Sequence, residues 1–245
     1  MSAQPMLQAD RAHEPLRLGF LGLGWIGRMR LDAIAAAAEV QIAAIADNDA
    51  GKLSAAASAY PDAHAGYDLN SLLDCDLDGV VIATPNGAHA SQAVACLSRG
   101  LPVFCQKPLA ITAHDVEQVI DVARSADRLL GIDFCYRHVQ GMNDLRRRIQ
   151  AGELGEILAI DLTFHNAYGP DKPWVYDRRL SGGGCLLDLG VHLIDLALWL
   201  QNGPALQLIS SRLFARGAPV QIDQGEVEDM AFAEFRQSND AVVRM

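Results

Sequence analysis

Three ionisable side chains stand on one apolar stretch in the second half of the chain. Asp188, His192 and Asp195 are spaced i, i+4 and i+7 within Cys185 to Leu200, so a helix would carry them on one face. Ionisable groups on an apolar helix must be paired or must face a polar cleft. A neutral imidazole can accept and return a proton near neutral pH. The pattern therefore favours an acid–base group.

Two other interpretations of this stretch stay open at the level of sequence. In the first, Asp188 is a first-turn carboxylate and His192 is a core histidine with a satisfied hydrogen bond. In the second, Asp188 and His192 share a metal ion, and His165 is the nearby candidate for the third ligand that such a site needs. We expect the acid–base group and no metal.

A glycine pattern near the beginning of the chain could bind a phosphate group. Gly22, Gly24 and Gly27 follow the apolar run Leu16 to Leu21, and a helical pattern comes next. The first glycine permits a tight turn, the second lets the backbone approach a pyrophosphate, and the third lets the helix pack on the strand. The N–H groups at the beginning of the helix would face the phosphates. The spacing predicts a dinucleotide site.

The acidic residue expected in such a site is also present. Asp47 follows the apolar run Val40 to Ala46 and stands where a carboxylate meets the ribose hydroxyls. The residues after it are Asn48 and Asp49, without an arginine for a 2′-phosphate. The sequence therefore predicts NAD(H) rather than NADP(H). The first helical residues, Trp25 and Ile26, are also expected to line this site.

The elements that position these residues alternate between strands and helices up to about Cys135. This order predicts an α/β fold with a doubly wound parallel sheet and helices on both faces. Ligands bind such sheets beyond the carboxyl ends of the strands. Two further strands are followed by residues that should line the same crevice. They are Thr84, Pro85, Asn86 and His89 after one strand, and Gln106 and Lys107 after the other.

The pattern then changes to that of a second α+β domain with a mostly antiparallel or mixed sheet. Glu156 to His165 alternates like a half-exposed strand, and further strands are expected at Leu206 to Phe214, Val227 to Phe235 and from Ala241 onward. We expect a mobile leader over 1–15, a nucleotide-binding domain over 16–135 and a partial second domain over 136–245. The final strand of this sheet is expected to end at Met245 with its remaining strands missing, which predicts an open edge that associates or frays.

Composition narrows the classes of partner and location. The chain has 245 residues and a net charge of −10, which argues against nucleic acid and anionic membranes as partners. Five cysteines without a C-x-x-C pair suggest buried free thiols in a reducing compartment. We find no signal peptide and no apolar run that approaches a membrane span. A cytoplasmic protein is expected.

Five motifs together resemble the glucose–fructose oxidoreductase and inositol dehydrogenase family. They are GLGWIG at Gly22 to Gly27, Asp47, TPN…H at Thr84 to His89, QKP at Gln106 to Pro108, and GGGCLLDLGVHLID at Gly182 to Asp195. The resemblance implies a Rossmann domain and a second domain whose open sheet often forms a homo-oligomer interface. It also implies NAD(P)-dependent oxidation of a hydroxyl of a sugar, polyol or cyclitol, or the reverse reduction.

The resemblance assigns the catalytic residues. The family's lysine matches Lys107, and its aspartate and histidine match Asp188 and His192. His192 is then the expected base, Lys107 stabilises the reacting oxygen, and Asp188 orients the substrate or His192. Asn86 would hold the ribose and nicotinamide side of the cofactor. Further candidates for substrate contacts are Tyr136, Arg137, Trp174 and Tyr176.

One residue departs from the family pattern. Gln106 stands where the family usually has Glu, so the negative charge beside Lys107 is missing from this position. We expect this change to lower the pKa of the lysine or to alter how the nicotinamide ribose is held. It also slightly favours an alternative function, a non-catalytic NAD-dependent sensor on the same fold, which retention of Lys107, Asp188 and His192 disfavours.

Overall fold

The computed structural model describes residues 14–37, 39–203 and 205–245. Residues 1–13 of the expected leader lie outside this range. The contacts divide the chain into two compact units. The first contains the described residues up to Thr84 together with Ser91–Cys105 and Ile120–Gly131, and the second contains Pro85–Ala90, Gln106–Val119 and Ile132–Met245.

The first unit is built on a six-stranded sheet. Its strands lie in the order β3-β2-β1-β4-β5-β6, and the pairs β2–β3, β1–β2, β1–β4 and β4–β5 are parallel. The order reverses direction beside β1, as in a Rossmann sheet. The strands are β1 Leu16–Leu21, β2 Val40–Ala46, β3 His64–Gly66, β4 Gly79–Ile82, β5 Val103–Cys105 and β6 Leu130–Ile132.

The parallel strands are apolar because helices cover them. All four residues of β4 are buried, and Phe20, Leu31, Ile45 and Val81 belong to one core cluster. The predicted doubly wound parallel sheet is confirmed. The helices of this part of the chain are α1 Trp25–Ala35, α2 Ala50–Ala59, α3 Leu69–Leu73, α4 Asn86–Ser98 and α5 Ala113–Ala126.

The second unit contains a five-stranded mixed sheet in the order β7-β11-β10-β8-β9. Only the β7–β11 pair is parallel among these described strands. The expected mixed sheet is therefore confirmed. The remaining elements are α6 Met142–Gln150, β7 Ala159–Asp161, α7 Arg178–Ser181, α8 Val191–Leu200, β8 Leu206–Ala215, β9 Ala218–Pro219, β10 Met230–Gln237 and β11 Val242–Arg244.

Two expectations about this sheet are wrong. The strand predicted over Glu156 to His165 is regular only at Ala159–Asp161, because β11 offers backbone partners only from Leu158 to Leu162. The strand predicted from Ala241 onward is not an open edge. Strand β11 lies inside the sheet, parallel to β7 on one side and antiparallel to β10 on the other. Its backbone groups are therefore paired with both neighbours.

The apolar stretch with the ionisable stripe is a π-helical turn at Leu186–Gly190 followed by α8. The segment Arg178–Leu200, in which a bend at residues 182–184 separates α7 from this turn, has 23 residues and a mean hydropathy of 1.5. By length and composition alone it could cross a membrane, contrary to the expectation that no segment approaches such a span. Within its unit, however, Leu196, Ala197 and Leu200 are buried, which is how the core helix of a folded domain packs.

Candidate active site

The glycine turn in the first unit has the geometry that a pyrophosphate site needs. Gly22 has φ +93°, in the region that favours glycine, and a Cβ there would lie 2.6 Å from the carbonyl of Ala83. A Cβ on Gly27 would lie 2.0 Å from the Gly22 oxygen, so helix α1 packs directly against the turn. A Cβ on Gly24 would meet nothing within 4 Å. The backbone at Gly24 is therefore open to an approaching ligand.

Asp47 is joined to the same turn. The Leu23 N–H donates to Asp47 Oδ2 at 2.6 Å, and the Asp49 N–H donates to Oδ1 at 2.8 Å. Each carboxylate oxygen keeps a second acceptor position, which is what two ribose hydroxyls require. Asp49 caps α2 by accepting the N–H groups of Gly51 and Lys52. The carboxylate available to a ribose in this stretch is that of Asp47.

The residues after β4 are used for internal contacts in both units. Thr84 Oγ1 donates to Gln92 Oε1 at 2.6 Å within the first unit. In the second unit, Asn86 Nδ2 donates to the Ser181 carbonyl at 3.0 Å. His89 is 1% exposed, and its Nδ1 contacts the Pro108 carbonyl at 2.7 Å. His89 therefore contacts the segment that follows Lys107.

Lys107 and Asp188 form an ion pair in the second unit. Lys107 Nζ donates to Asp188 Oδ1 and also to the Asp188 carbonyl oxygen at 2.7 Å. The two residues are far apart in sequence, and each lies outside the α-helices and strands. Lys107 follows β5 by two residues, and Asp188 lies in the π-helical turn. Two of the three residues that the resemblance assigned to catalysis are thus in contact.

Glu228, which the sequence did not single out, anchors the beginning of this turn. Its Oε1 accepts the Leu186 N–H at 3.0 Å, and its carbonyl oxygen accepts the Cys185 N–H at 2.9 Å. A Cβ on Gly184 would lie 1.8 Å from that carbonyl oxygen. The last glycine of the GGG run is thus required for close backbone contact, and a carboxylate meets free N–H groups at a helix start.

His192 is a buried imidazole in the same unit. It is 4% exposed, stacks on Tyr136 with a centroid distance of 4.1 Å and meets Phe134 edge-on at 6.1 Å. Its Nδ1 is buried without a hydrogen-bond partner among the described residues. Burial, and then the charge of Lys107, lower the pKa of His192 from 6.5 to about 4, although nearby carboxylates act in the opposite direction. The imidazole is therefore neutral at pH 7.

The stripe's third member has a different role. Arg137 makes a two-pronged ion pair with Asp195, donating from Nε to Oδ2 at 2.7 Å and from its Nη2 to Oδ1. Hydrogen bonding to Asp195 raises the pKa of Arg137. Arg137, which was expected as a substrate contact, thus pairs its guanidinium with Asp195. The stacked Tyr136 lies against His192 and is the aromatic candidate nearest to the proposed base.

Trp174 and Tyr176 belong to a single 3₁₀ turn, Pro173–Tyr176, and Tyr176 donates its hydroxyl to the Pro170 carbonyl at 2.8 Å. That bond closes the loop on itself. His165, the third ligand of the metal interpretation, is exposed beyond β7. Over the described ranges, no group of three His, Cys, Asp or Glu side chains could hold a metal.

Gln106 has a partner that the sequence could not indicate. Its side-chain amide donates to Asp133 Oδ2, and both residues are 6% exposed. Asp133 directly follows β6, so two neighbouring strands of the order β5-β6 are each followed by one member of the pair. Residue 106 has no carboxylate of its own, and Asp133 therefore places one against the Gln106 side chain.

Comparisons with known proteins match nearly the whole chain. Residues 16–134 match the family model for oxidoreductases with an NAD-binding Rossmann fold, and residues 142–245 match a Gfo/Idh/MocA C-terminal domain. The rhizopine catabolism protein MocA of Rhizobium meliloti is 33% identical over 75% of this chain and 56% of its own length. Inositol 2-dehydrogenase of Salmonella paratyphi B is 33% identical over 76% of this chain and 55% of its own length.

A solved structure of a dehydrogenase has the same fold. A levoglucosan dehydrogenase in complex with NADH and levoglucosan is 26% identical, with a TM-score of 0.83 over 94% of this chain and 66% of that one. The chain thus spans between about half and two thirds of the length of these relatives. Matches to both domain models, on a fold with the glycine turn and the Lys107–Asp188 pair, show that the chain belongs to the Gfo/Idh/MocA family of oxidoreductases with an NAD-binding Rossmann fold.

Proposed function

We propose that this protein is an NAD(P)-dependent oxidoreductase that transfers a hydride between the nicotinamide and a hydroxyl or keto group of a sugar, polyol or cyclitol. The observation that carries the proposal is the arrangement in the second unit, where the Lys107–Asp188 ion pair accompanies a buried, neutral His192. The family membership and the named dehydrogenase relatives support the same reaction class. A sensor would need no proton acceptor, so the alternative is not favoured.

Residues of this chain would accept the proton of the substrate hydroxyl and stabilise the charge on its oxygen. Because Nδ1 of His192 is sealed from solvent, Nε2 is the nitrogen that accepts the hydroxyl proton. The Lys107 ammonium stabilises negative charge that develops on the substrate oxygen. Asp188 holds that ammonium in place through its carboxylate and its carbonyl. The bound nicotinamide supplies the hydride acceptor or donor.

We propose NAD(H) as the preferred cofactor. The support is Asp47, whose two oxygens each keep an acceptor position for a ribose hydroxyl and would repel a 2′-phosphate. Fluorescence titration should give tighter binding of NADH than of NADPH. Asp47→Asn, which keeps an oxygen for the glycine turn, should weaken NADH more than NADPH. Tighter binding of NADPH by the unaltered chain would overturn the preference.

Turnover tests the function itself. NAD⁺ reduction at 340 nm should be measured with myo-inositol, D-glucose, methyl glucosides and levoglucosan, and NADH oxidation with keto-sugars. We expect turnover of at least one polyol or sugar. Binding of NADH without turnover of any member of the panel would favour the sensor.

We also propose a homo-oligomer formed through the second sheet, in the cytoplasm, with functional domains that divide near residue 135. Exposed Met230 and Phe232 on β10 support the interface, since large apolar groups on one sheet face favour association. Free thiols at all five cysteines support a reducing compartment, and burial raises the pKa of Cys96 to about 12. The ranges of the two family models support the division.

A further inference from the structure

The imidazole of His192 contacts two aromatic rings that come from one short segment of the chain. The Tyr136 ring lies nearly parallel to it, with centroids 4.1 Å apart and an interplanar angle of 13°. The Phe134 ring meets it edge-on, with centroids 6.1 Å apart and an angle of 82°. Stacked and edge-on contacts stabilise a pair of rings beyond the area that they bury. The two rings therefore restrict the imidazole in two different planes.

These contacts matter because no described residue makes the usual orienting hydrogen bond to His192. In most catalytic histidines, the ring nitrogen that does not react donates to a carboxylate or a backbone carbonyl, and this bond fixes the ring. In His192 that nitrogen is Nδ1, which is buried without a hydrogen-bond partner among the described residues. The orientation of the imidazole therefore depends on the rings packed against it.

The segment that carries the tyrosine is itself fixed to the helix that carries His192. Tyr136 belongs to the 3₁₀ turn Cys135–His138. Arg137, the next residue of this turn, makes the two-pronged ion pair with Asp195, which lies three residues after His192 on α8. An ion pair with two parallel hydrogen bonds fixes direction as well as distance. The stack is therefore anchored by a contact outside the rings.

A third ring supports the tyrosine. Phe164 stacks on Tyr136 with centroids 6.2 Å apart and an interplanar angle of 15°. His192, Tyr136 and Phe164 thus form two successive stacked pairs, which extend from a residue that is 4% exposed to one that is 39% exposed. These contacts are made by the rings and do not depend on the tyrosine hydroxyl.

Building on the proposed function, we propose that Tyr136 is a positioning residue that fixes the plane of the His192 imidazole, so that Nε2 faces the substrate hydroxyl. Rotation of the imidazole about its Cβ–Cγ bond would turn a ring edge into the face of the tyrosine. The same face attracts a cation, so the stack also favours the imidazolium that forms when the proton arrives. This role requires the ring of residue 136. The substrate contact expected from the sequence would instead require its hydroxyl.

Two substitutions at this position separate the two roles, with NAD⁺ and the most active polyol or sugar of the panel. Tyr136→Phe keeps the ring and should keep kcat within about 2-fold. Tyr136→Leu removes the ring and should lower kcat about 10-fold or more, with KM and NADH affinity nearly unchanged, because a misoriented base is less effective. If Tyr136→Leu does not fold, Tyr136→Met replaces it, since a flexible methionine fills irregular space. Tyr168→Leu, at a tyrosine that is 78% exposed, is the matched control and should keep full kcat.

Proton NMR of the full chain at pH 7 tests the contact without requiring turnover. The ring signals of His192 are assigned by their loss in His192→Gln. Protons that lie over an aromatic face are shielded by its ring current. The His192 signals should therefore move to lower field in Tyr136→Leu, and they should stay in place in Tyr136→Phe and in the control.

Three outcomes would overturn the proposal. Equal loss of kcat in Tyr136→Phe and Tyr136→Leu would assign the role to the hydroxyl. Full kcat without the ring would show that His192 needs no stack, and unmoved His192 signals without the ring would show that the stack is not formed in solution. Absence of turnover by the unaltered chain would instead contradict the proposed function, while the NMR comparison would still decide whether Tyr136 holds the imidazole.

Discussion

At the scale of single residues, His192 makes the stability of the fold depend on pH. Its pKa is about 4 in the folded chain, below the ordinary 6.5, because burial disfavours the imidazolium. Between these values the unfolded chain binds more protons than the folded chain. The contribution of His192 to stability is therefore complete above pH 6.5 and is lost as the pH falls toward 4.

Urea unfolding measures this contribution. From pH 7.5 to pH 5, the free energy of unfolding should fall further for the unaltered chain than for His192→Gln, by about 1 to 2 kcal/mol. The glutamine side chain does not titrate, so the difference isolates the histidine. Equal pH dependence of the two proteins would contradict the burial-driven pKa.

The proposed proton acceptor makes a kinetic prediction. His192→Asn should slow turnover by about 10²- to 10⁴-fold, the usual contribution of a general base. NADH affinity should change little, because the base is not needed to hold the cofactor. Steady-state rates and fluorescence titration check both parts. His114→Asn, at an exposed position on α5, is the matched control and should keep full activity.

Sequence identified some site residues and not others for a physical reason. Lys107, Asp188 and His192 lie in motifs, and their types suit the chemistry. Asp133 and Glu228 act through partners 27 and 42 residues away, respectively, and no local pattern marks either of them. The partner of Gln106 therefore became visible only with the fold.

At the scale of elements, the glycine turn separates packing from binding. Gly27→Ala places a Cβ 2.0 Å from the Gly22 oxygen and should destabilise the first unit by at least about 2 kcal/mol. Gly24→Ala meets nothing within 4 Å and should cost less than about 1 kcal/mol.

Binding should show the opposite order for the folded variants. The space at Gly24 is where the backbone would approach the pyrophosphate, so Gly24→Ala should weaken NADH about 10-fold or more. Thermal unfolding and NADH titration of the two variants check the prediction. A Gly24→Ala protein with unaltered NADH affinity would show that the turn serves packing alone.

Element types were more predictable than element lengths. The parallel strands followed from apolar runs that end in turn residues, and β8 begins at Leu206 as predicted. The strand at Glu156 to His165 was too long in prediction because alternation reports the face of a strand and not the extent of its partner. The π-helical turn at Leu186–Gly190 was missed because apolar spacing alone does not distinguish it from an α-helix.

At the scale of the whole molecule, the exposed sheet face predicts association. Met230 and Phe232 pair across the strands with Phe214 and Arg212, and the rings of Phe214 and Phe232 meet edge-on at 6.4 Å. Phe232→Glu should shift an oligomer toward the monomer in sedimentation velocity, with NADH affinity unchanged. Leu129→Glu, at another exposed apolar residue, is the control and should not. A protein that is monomeric before substitution would contradict the proposed interface.

The two compact units are interleaved along the chain. Their segments alternate, so the backbone passes from one unit to the other at five junctions, after residues 84, 90, 105, 119 and 131. Neither unit is a contiguous piece of sequence, and no single cut in the chain separates the two units. Exchange of the whole first unit for that of a relative must therefore replace three separate segments, because any single cassette that spans this unit also carries residues of the second.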